Sequence, residues 1–211
     1  MDLASASVFL DFDGTMTLID SGVHLLERLN PDGAWVAVDE LYGAGAIGSR
    51  ECLSREWELL PHDEVVLRGV ARDVELDPDA ERLVAGLRAG GAEVTVVSDG
   101  FGFYAEEVCG RLGVPVLTNA VDWSTGTLEF PNLDRCCPCS SCGTCKQAPI
   151  KDARRRGRTT VFVGDGISDR KAALLTDVLF AKDRLAEWCE FSGVDHVPFD
   201  TLADVYDALC R

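Results

Sequence analysis

Val8-Phe9-Leu10-Asp11-Phe12-Asp13-Gly14-Thr15 sets an apolar, β-rich run directly before two carboxylates and a glycine turn. Side chains alternate along a strand, so Asp11 and Asp13, at i and i+2, leave its end on the same side. One carboxylate placed there can attack an electrophile and the other can move a proton. Together they can hold a hard cation. That division of labour suits phosphoryl transfer through an aspartyl-phosphate. Asp and Gly are also ordinary turn residues, so the reading depends on residues elsewhere in the chain.

Four more apolar runs read as strands, at residues 94–98, 115–118, 160–164 and 178–181, with helical patterns between them. This alternation predicts an α/β fold, a doubly wound, mainly parallel, Rossmann-like sheet covered on both faces. Between the first two strands the signals are helical. Ser49 precedes a helix over 50–60 whose apolar positions are Cys52, Leu53, Trp57 and Leu60. Asp63 caps another through residue 72, and Asp77-Pro78 opens a third that Gly90-Gly91 closes. Residues 18–75 are therefore expected to form a small inserted helical cap, with 1–17 and 76–211 as the core. Residues 120–130 alternate around Thr125-Gly126 as a hairpin.

Two further strand ends carry chemistry. Ser98-Asp99-Gly100 offers a hydroxyl and turn amides, which suit phosphate oxygens. Gly164-Asp165-Gly166-Ile167-Ser168-Asp169 puts Asp165 where an oxygen ligand for a divalent ion is needed. Asp169, four residues on, can orient metal waters or a lysine, while Ser168 reads as a helix cap. A cation must offset the carboxylates and the phosphate, and Lys146 and Lys151 are the candidates. Ligands of doubly wound sheets bind beyond the carboxyl ends of the strands, where these pieces converge.

Composition narrows the partners. The formal net charge of −16 repels nucleic acid and anionic lipid. Arg154-Arg155-Arg156-Gly157-Arg158 is the local exception and reads as a solvated helix end. No apolar run is long enough to span a membrane, and the first strand begins too close to Met1 for a signal peptide, which points to the cytoplasm. Length and charge are equally compatible with a monomer and a homodimer. His24, His62 and His196 show no metal-ligand spacing. Of nine cysteines, Cys52, Cys109, Cys189 and Cys210 are scattered and read as small buried apolar groups. Cys136, Cys139, Cys142 and Cys145 recur every third residue, with Cys137 extra. Cys-x-x-Cys pairs suit zinc, and crowded ones an iron–sulfur cluster.

In the order and spacing of these pieces the chain resembles the haloacid dehalogenase superfamily of phosphohydrolases, over essentially its whole length. Asp11-Phe12-Asp13-Gly14-Thr15 looks like the first family motif, Ser98 the second, a lysine the third, and 164–169 the fourth. Within it the chain is similar to the phosphoserine-phosphatase-like branch, and most to its methionine-salvage phosphatases. They share a cysteine-rich approach to the third-motif lysine, as in Cys142-Gly143-Thr144-Cys145-Lys146, and a similar tail around residues 179–183 and 196–199. This favours Lys146 over Lys151. Phosphoserine phosphatases carry glutamate where Asp20 stands, which argues against an amino-acid phosphate.

The resemblance implies a Mg2+-dependent phosphatase of a small phosphorylated metabolite. Asp11 would be the nucleophile and Asp13 the acid and base. Mg2+ would be held by the Asp11 side chain, the Asp13 carbonyl and Asp165. Ser98, Asp99, Gly100 and Lys146 would bind phosphate, with Asp169 behind them. Asp20, His24, Arg50 and Arg55 are polar candidates for the cap's substrate contacts. The relatives keep similar cysteines without redox chemistry, so free thiols or a local disulfide come first for that cluster, structural Zn2+ second and iron–sulfur third. The alternatives are another metabolite phosphatase, phosphoserine-like or otherwise, and a non-catalytic phosphate-binding protein on the same fold.

Overall fold

The structure, a computed structural model, describes residues 1–133 and 141–211. The chain runs β1 (Ala6–Leu10), α1 (Ser21–Leu29), α2 (Ala34–Gly43), α3 (Ser49–Trp57), α4 (Glu64–Ala71), α5 (Ala80–Ala89) and β2 (Glu93–Val97). It continues with α6 (Phe103–Leu112), β3 (Val116–Leu117), β4 (Ala120–Asp122), β5 (Thr127–Glu129), α7 (Gln147–Arg155) and β6 (Thr159–Gly164). It ends with α8 (Arg170–Ala173), β7 (Val178–Ala181), α9 (Asp183–Ser192), β8 (Val197–Pro198) and α10 (Leu202–Cys210).

Six strands form one parallel sheet in the order β3-β2-β1-β6-β7-β8, and β4 and β5 pair as a separate antiparallel hairpin. The strand order reverses at β1, the geometry in which such sheets open a crevice at their carboxyl edge. Strand alternation builds the two cores. Val8 and Leu10 of β1, Val94 and Val96 of β2, and Val161 and Val163 of β6 enter one cluster, which includes residues of α5, α6 and α10. Phe9, Val97 and Phe162 point the other way, into a cluster with residues of α7, α8 and α9. Burying a side chain such as Phe162 stabilises the fold by about 1.5–3 kcal/mol.

The chain leaves this sheet at Thr17 and returns at Leu76, and a single antiparallel bridge pairs those two residues. Helices α1 to α4 lie between them. Asp63 caps α4 as expected, accepting from the Val65 and Val66 amides. The α3 expectation shifts: Gly48, not Ser49, stands outside the helix. A Cβ at 48 would overlap the Ser141 carbonyl. The basic run is not simply solvated. Arg156 makes a two-pronged pair with Glu93 at 2.9 Å, and Arg158 donates to Ser7 Oγ at 3.0 Å. These two arginines tie the end of α7 to the start of β1 and β2. Cys52, Cys109 and Cys189 are buried thiols. Among the described residues no helix is long and apolar enough to cross a membrane.

Candidate active site

Three strand ends deliver the polar groups. Asp11 follows β1 and continues its ladder, its amide donating to Val163 O at 2.9 Å. Ser98 follows β2, and Asp165 follows β6. Asp11, Asp13, Lys146 and Asp165 border one cavity of about 320 Å³, which reaches up against α1, α2 and α3.

Lys146, just before α7, is the lysine that reaches these carboxylates; Lys151 does not line the cavity. Lys146 is 4% exposed, and its Nζ donates to Asp11 Oδ1 at 2.5 Å, Asp169 Oδ1 at 2.7 Å and Ser168 Oγ at 3.0 Å. Burial opposes the charge on Lys146, but Asp11 and Asp169 outweigh it and hold the ammonium protonated. Ser168 is thus a partner of the lysine rather than a helix cap. Asp169 does the capping: its Oδ2 accepts from the Asp165 and Gly166 amides at 3.1 and 3.0 Å. Both Asp169 oxygens are engaged, which suits a positioning group.

Oxygens of Asp11, Asp165 and Asp169 lie within 4.8 Å of one another, the one such cluster able to hold a metal among the described residues. Burial and repulsion from Asp169 raise Asp11 well above the usual carboxylate range and push Asp165 up to about 6. One ammonium does not neutralise three crowded carboxylates. A hard divalent cation would, and carboxylate oxygens are its preferred donors, so the residues fit Mg2+. Asp165 is held in place by Thr15, whose hydroxyl donates to Oδ1 at 2.7 Å. On its other side sits Gly14, at φ +76°, where a Cβ would overlap Asp165 Oδ2. Gly14→Ala should therefore displace Asp165 and weaken Mg2+ binding by about 10–100-fold, the usual range for a disturbed ligand support. Calorimetric titration with Mg2+ checks this.

Asp13 accepts from the Ser21 amide at 3.1 Å, from the Ser21 hydroxyl, and from Ser98 Oγ at 3.1 Å. Ser98 is fully buried behind Asp13 and does not itself border the cavity. The Gly100 amide donates to Ser98 Oγ at 3.1 Å. The Asp99 carboxylate is taken up by Ser49 Oγ at 2.5 Å, Thr144 N at 2.7 Å and Asn119 Nδ2 at 3.3 Å. This leaves Asp99 its main-chain amide for an anion, while its side chain ties α3 to the loop that carries Lys146. Asp99 is raised by burial, against the pull of those donors.

The candidates from 18–75 divide. Asp20 caps α1, accepting from Val23 N at 2.9 Å, and stands at the solvent-reached mouth of the cavity. Enclosure by the cleft walls and the charge of Asp13 raise its carboxyl. Arg50, Arg55 and His24 do not line the cavity. On α3 the cavity face is Ser49, Cys52, Leu53 and Glu56, at i, i+3, i+4 and i+7, and Arg50 lies about 100° around from Ser49. Arg55 pairs instead with Glu51 on the exposed side. Sequence reasoning missed Asp39, Tyr42, Glu56 and Arg184, which do line it. Only Glu56 left a readable signal, an acid on the face that Cys52 and Leu53 make apolar.

Cys136, Cys137 and Cys139 lie outside the described residues. Cys142 Sγ is 3.2 Å from Lys171 Nζ, and Cys145 is buried immediately before Lys146.

Residues 8–174 match the haloacid dehalogenase-like hydrolase family. The chain is 29% identical to the 2-hydroxy-3-keto-5-methylthiopentenyl-1-phosphate phosphatase of Geobacillus kaustophilus, covering 97% of this chain and 95% of that protein. It is 26% identical to the enzyme of that name from Exiguobacterium sibiricum, covering 96% and 95%. Its fold is similar to a phosphoserine phosphatase solved as a phospho-aspartyl intermediate analogue, with TM-score 0.74 and 18% identity over 97% and 98% of the two chains. With the family match spanning both carboxylates of the first strand end, the buried lysine and Asp165, this chain belongs to the haloacid dehalogenase-like hydrolases.

Proposed function

We propose that this chain is a Mg2+-dependent phosphatase of a small phosphorylated metabolite, working through an aspartyl-phosphate on Asp11. The family is one of hydrolases, and the named relatives are phosphatases of a phosphoric monoester. The observation that carries the finer reading is Asp11 itself, 4% exposed, bordering a cavity and held by a buried lysine. In this reading residues 18–75 act as a cap over the core formed by 1–17 and 76–211.

Asp11 attacks phosphorus opposite the leaving oxygen, and the ester P–O bond breaks as the new P–O bond forms. Asp13 gives a proton to the leaving alkoxide. It then takes one from the water that attacks the aspartyl-phosphate, which releases inorganic phosphate and restores Asp11. Once Asp13 turns to the leaving oxygen, the Ser98 hydroxyl is free to donate to the phosphoryl group, as is the Asp99 amide, while the Gly100 amide holds Ser98 Oγ in place. Lys146 neutralises charge on the equatorial oxygens, with Asp169 and Ser168 fixing its direction. Mg2+, held by Asp11, Asp165 and the Asp13 carbonyl, would supply the remaining positive charge. Phosphoryl transfer depends mainly on such positioning and neutralisation.

The relatives' named substrate makes methionine salvage the reading favoured for the pathway. Comparison of kcat/KM for the methylthiopentenyl phosphate and for phosphoserine tests it. The first should exceed the second by at least about tenfold, a pocket-level discrimination. The reverse order would remove the methionine-salvage assignment and leave a phosphoserine-like phosphatase.

A further inference from the structure

Resting on the phosphatase reading, we propose that Glu56 determines specificity: its carboxylate accepts a hydrogen bond from a hydroxyl or ammonium group on the leaving alcohol. An alcohol carrying a carboxylate is disfavoured by the same wall.

Glu56 is 7% exposed and borders the same cavity as Asp11. Among the described residues the polar partner of its carboxylate is the Cys52 thiol, one turn earlier on α3. A carboxylate has about four acceptor sites, and a thiol is a weak donor. A buried carboxylate so poorly supplied is costly, and a donor arriving with substrate removes that cost. The cavity wall around it has one sign. Asp20 and Asp39 stand beside Glu56, while no lysine or arginine of residues 18–75 lines the cavity. The basic lining residues belong to the other side. Lys146 is held by Asp11 and Asp169, and Arg184 of α9 stands exposed. A carboxylate on the leaving group would thus meet three acids on the wall from 18–75. Among the described residues, the one cation lining the cavity that is not already held by carboxylates, Arg184, stands on the opposite side. Leu26, Leu53 and Phe101 offer apolar surface for the carbon chain. The 2-hydroxy group in the relatives' named substrate is a donor of the required kind.

A matched series tests this: propyl, 3-hydroxypropyl and 3-aminopropyl phosphate and the phosphate ester of 3-hydroxypropanoate. Values of kcat/KM are compared for the wild type, Glu56→Gln and Glu56→Leu, with circular dichroism checking that each is folded. The wild type should prefer at least one donor-bearing ester to propyl phosphate by about tenfold or more, and should disfavour the acid. The better of the two donors names the class. Glu56→Leu should collapse that ratio toward one, and Glu56→Gln should retain part of it for the hydroxyl ester but not for the amine. An unchanged ratio in both folded variants, or a wild-type preference for the acid, overturns the proposal. If the wild type cleaves no ester of any kind, the phosphatase reading fails instead.

Discussion

Asp11→Asn should lower phosphate release by at least about a thousandfold, the scale of losing a covalent nucleophile. The amide has the shape of the carboxylate but no anionic oxygen to attack phosphorus. It also keeps a carbonyl oxygen able to accept from Lys146, so the Lys146–Asp169 pair at 2.7 Å should persist. Binding of inorganic phosphate should survive for the same reason, because Ser98, the Asp99 amide and Lys146 are untouched. The unfolding midpoint of the metal-free protein should not fall, since one of three crowded carboxylates has lost its charge. Steady-state phosphate release, phosphate titration and thermal unfolding of the one variant check all three points. A variant that binds phosphate and turns over at a tenth of the wild-type rate would remove Asp11 from the chemistry.

Lys146→Met should act on stability and activity together. The side chain is buried, pairs with two carboxylates and receives no compensation from solvent. Methionine keeps most of the volume but leaves Asp11, Asp165 and Asp169 facing one another with no cation. Breaking a buried pair by removing one partner costs about 3–5 kcal/mol, mainly because the other charge stays buried. Metal-free urea unfolding should show a loss of that order. Saturating Mg2+ should return part of it, because a cation that binds only the folded state stabilises that state. Phosphate release should fall even with Mg2+ present, since the metal does not replace the lysine on the equatorial oxygens. A loss under about 1 kcal/mol without metal would mean that the cluster is not charged as described.

The strands were legible because a strand buried on both faces is a continuous apolar run, and β7 falls on residues 178–181 as read. The short edge strand β8, Val197–Pro198, carries no such run and was not foreseen. Asp11, Asp13, Ser98 and Asp165 were legible as strand-end residues because the sheet itself aligns those ends. Choosing Lys146 needed the family likeness, since nothing local distinguishes it from Lys151. The wall from 18–75 was mostly hidden. Which face of α3 turns inward depends on how the helix docks, through Ser49 to Asp99 and through the Trp57 indole to Gly126 O at 2.8 Å. That docking turns Arg50 away and Glu56 in. Ser168 looked like a cap because serine usually caps, yet the Asp169 carboxylate satisfies the amides at that turn and leaves the hydroxyl to Lys146.

In the proposed reaction the phosphoryl group passes through Asp11. Acid quench during turnover of a good ester in Mg2+, followed by peptide mass spectrometry, tests it most directly. One phosphoryl group should be found on the peptide containing Asp11, and none when Mg2+ is chelated. A phosphoryl group on another residue, or full turnover with every peptide unmodified, would contradict it.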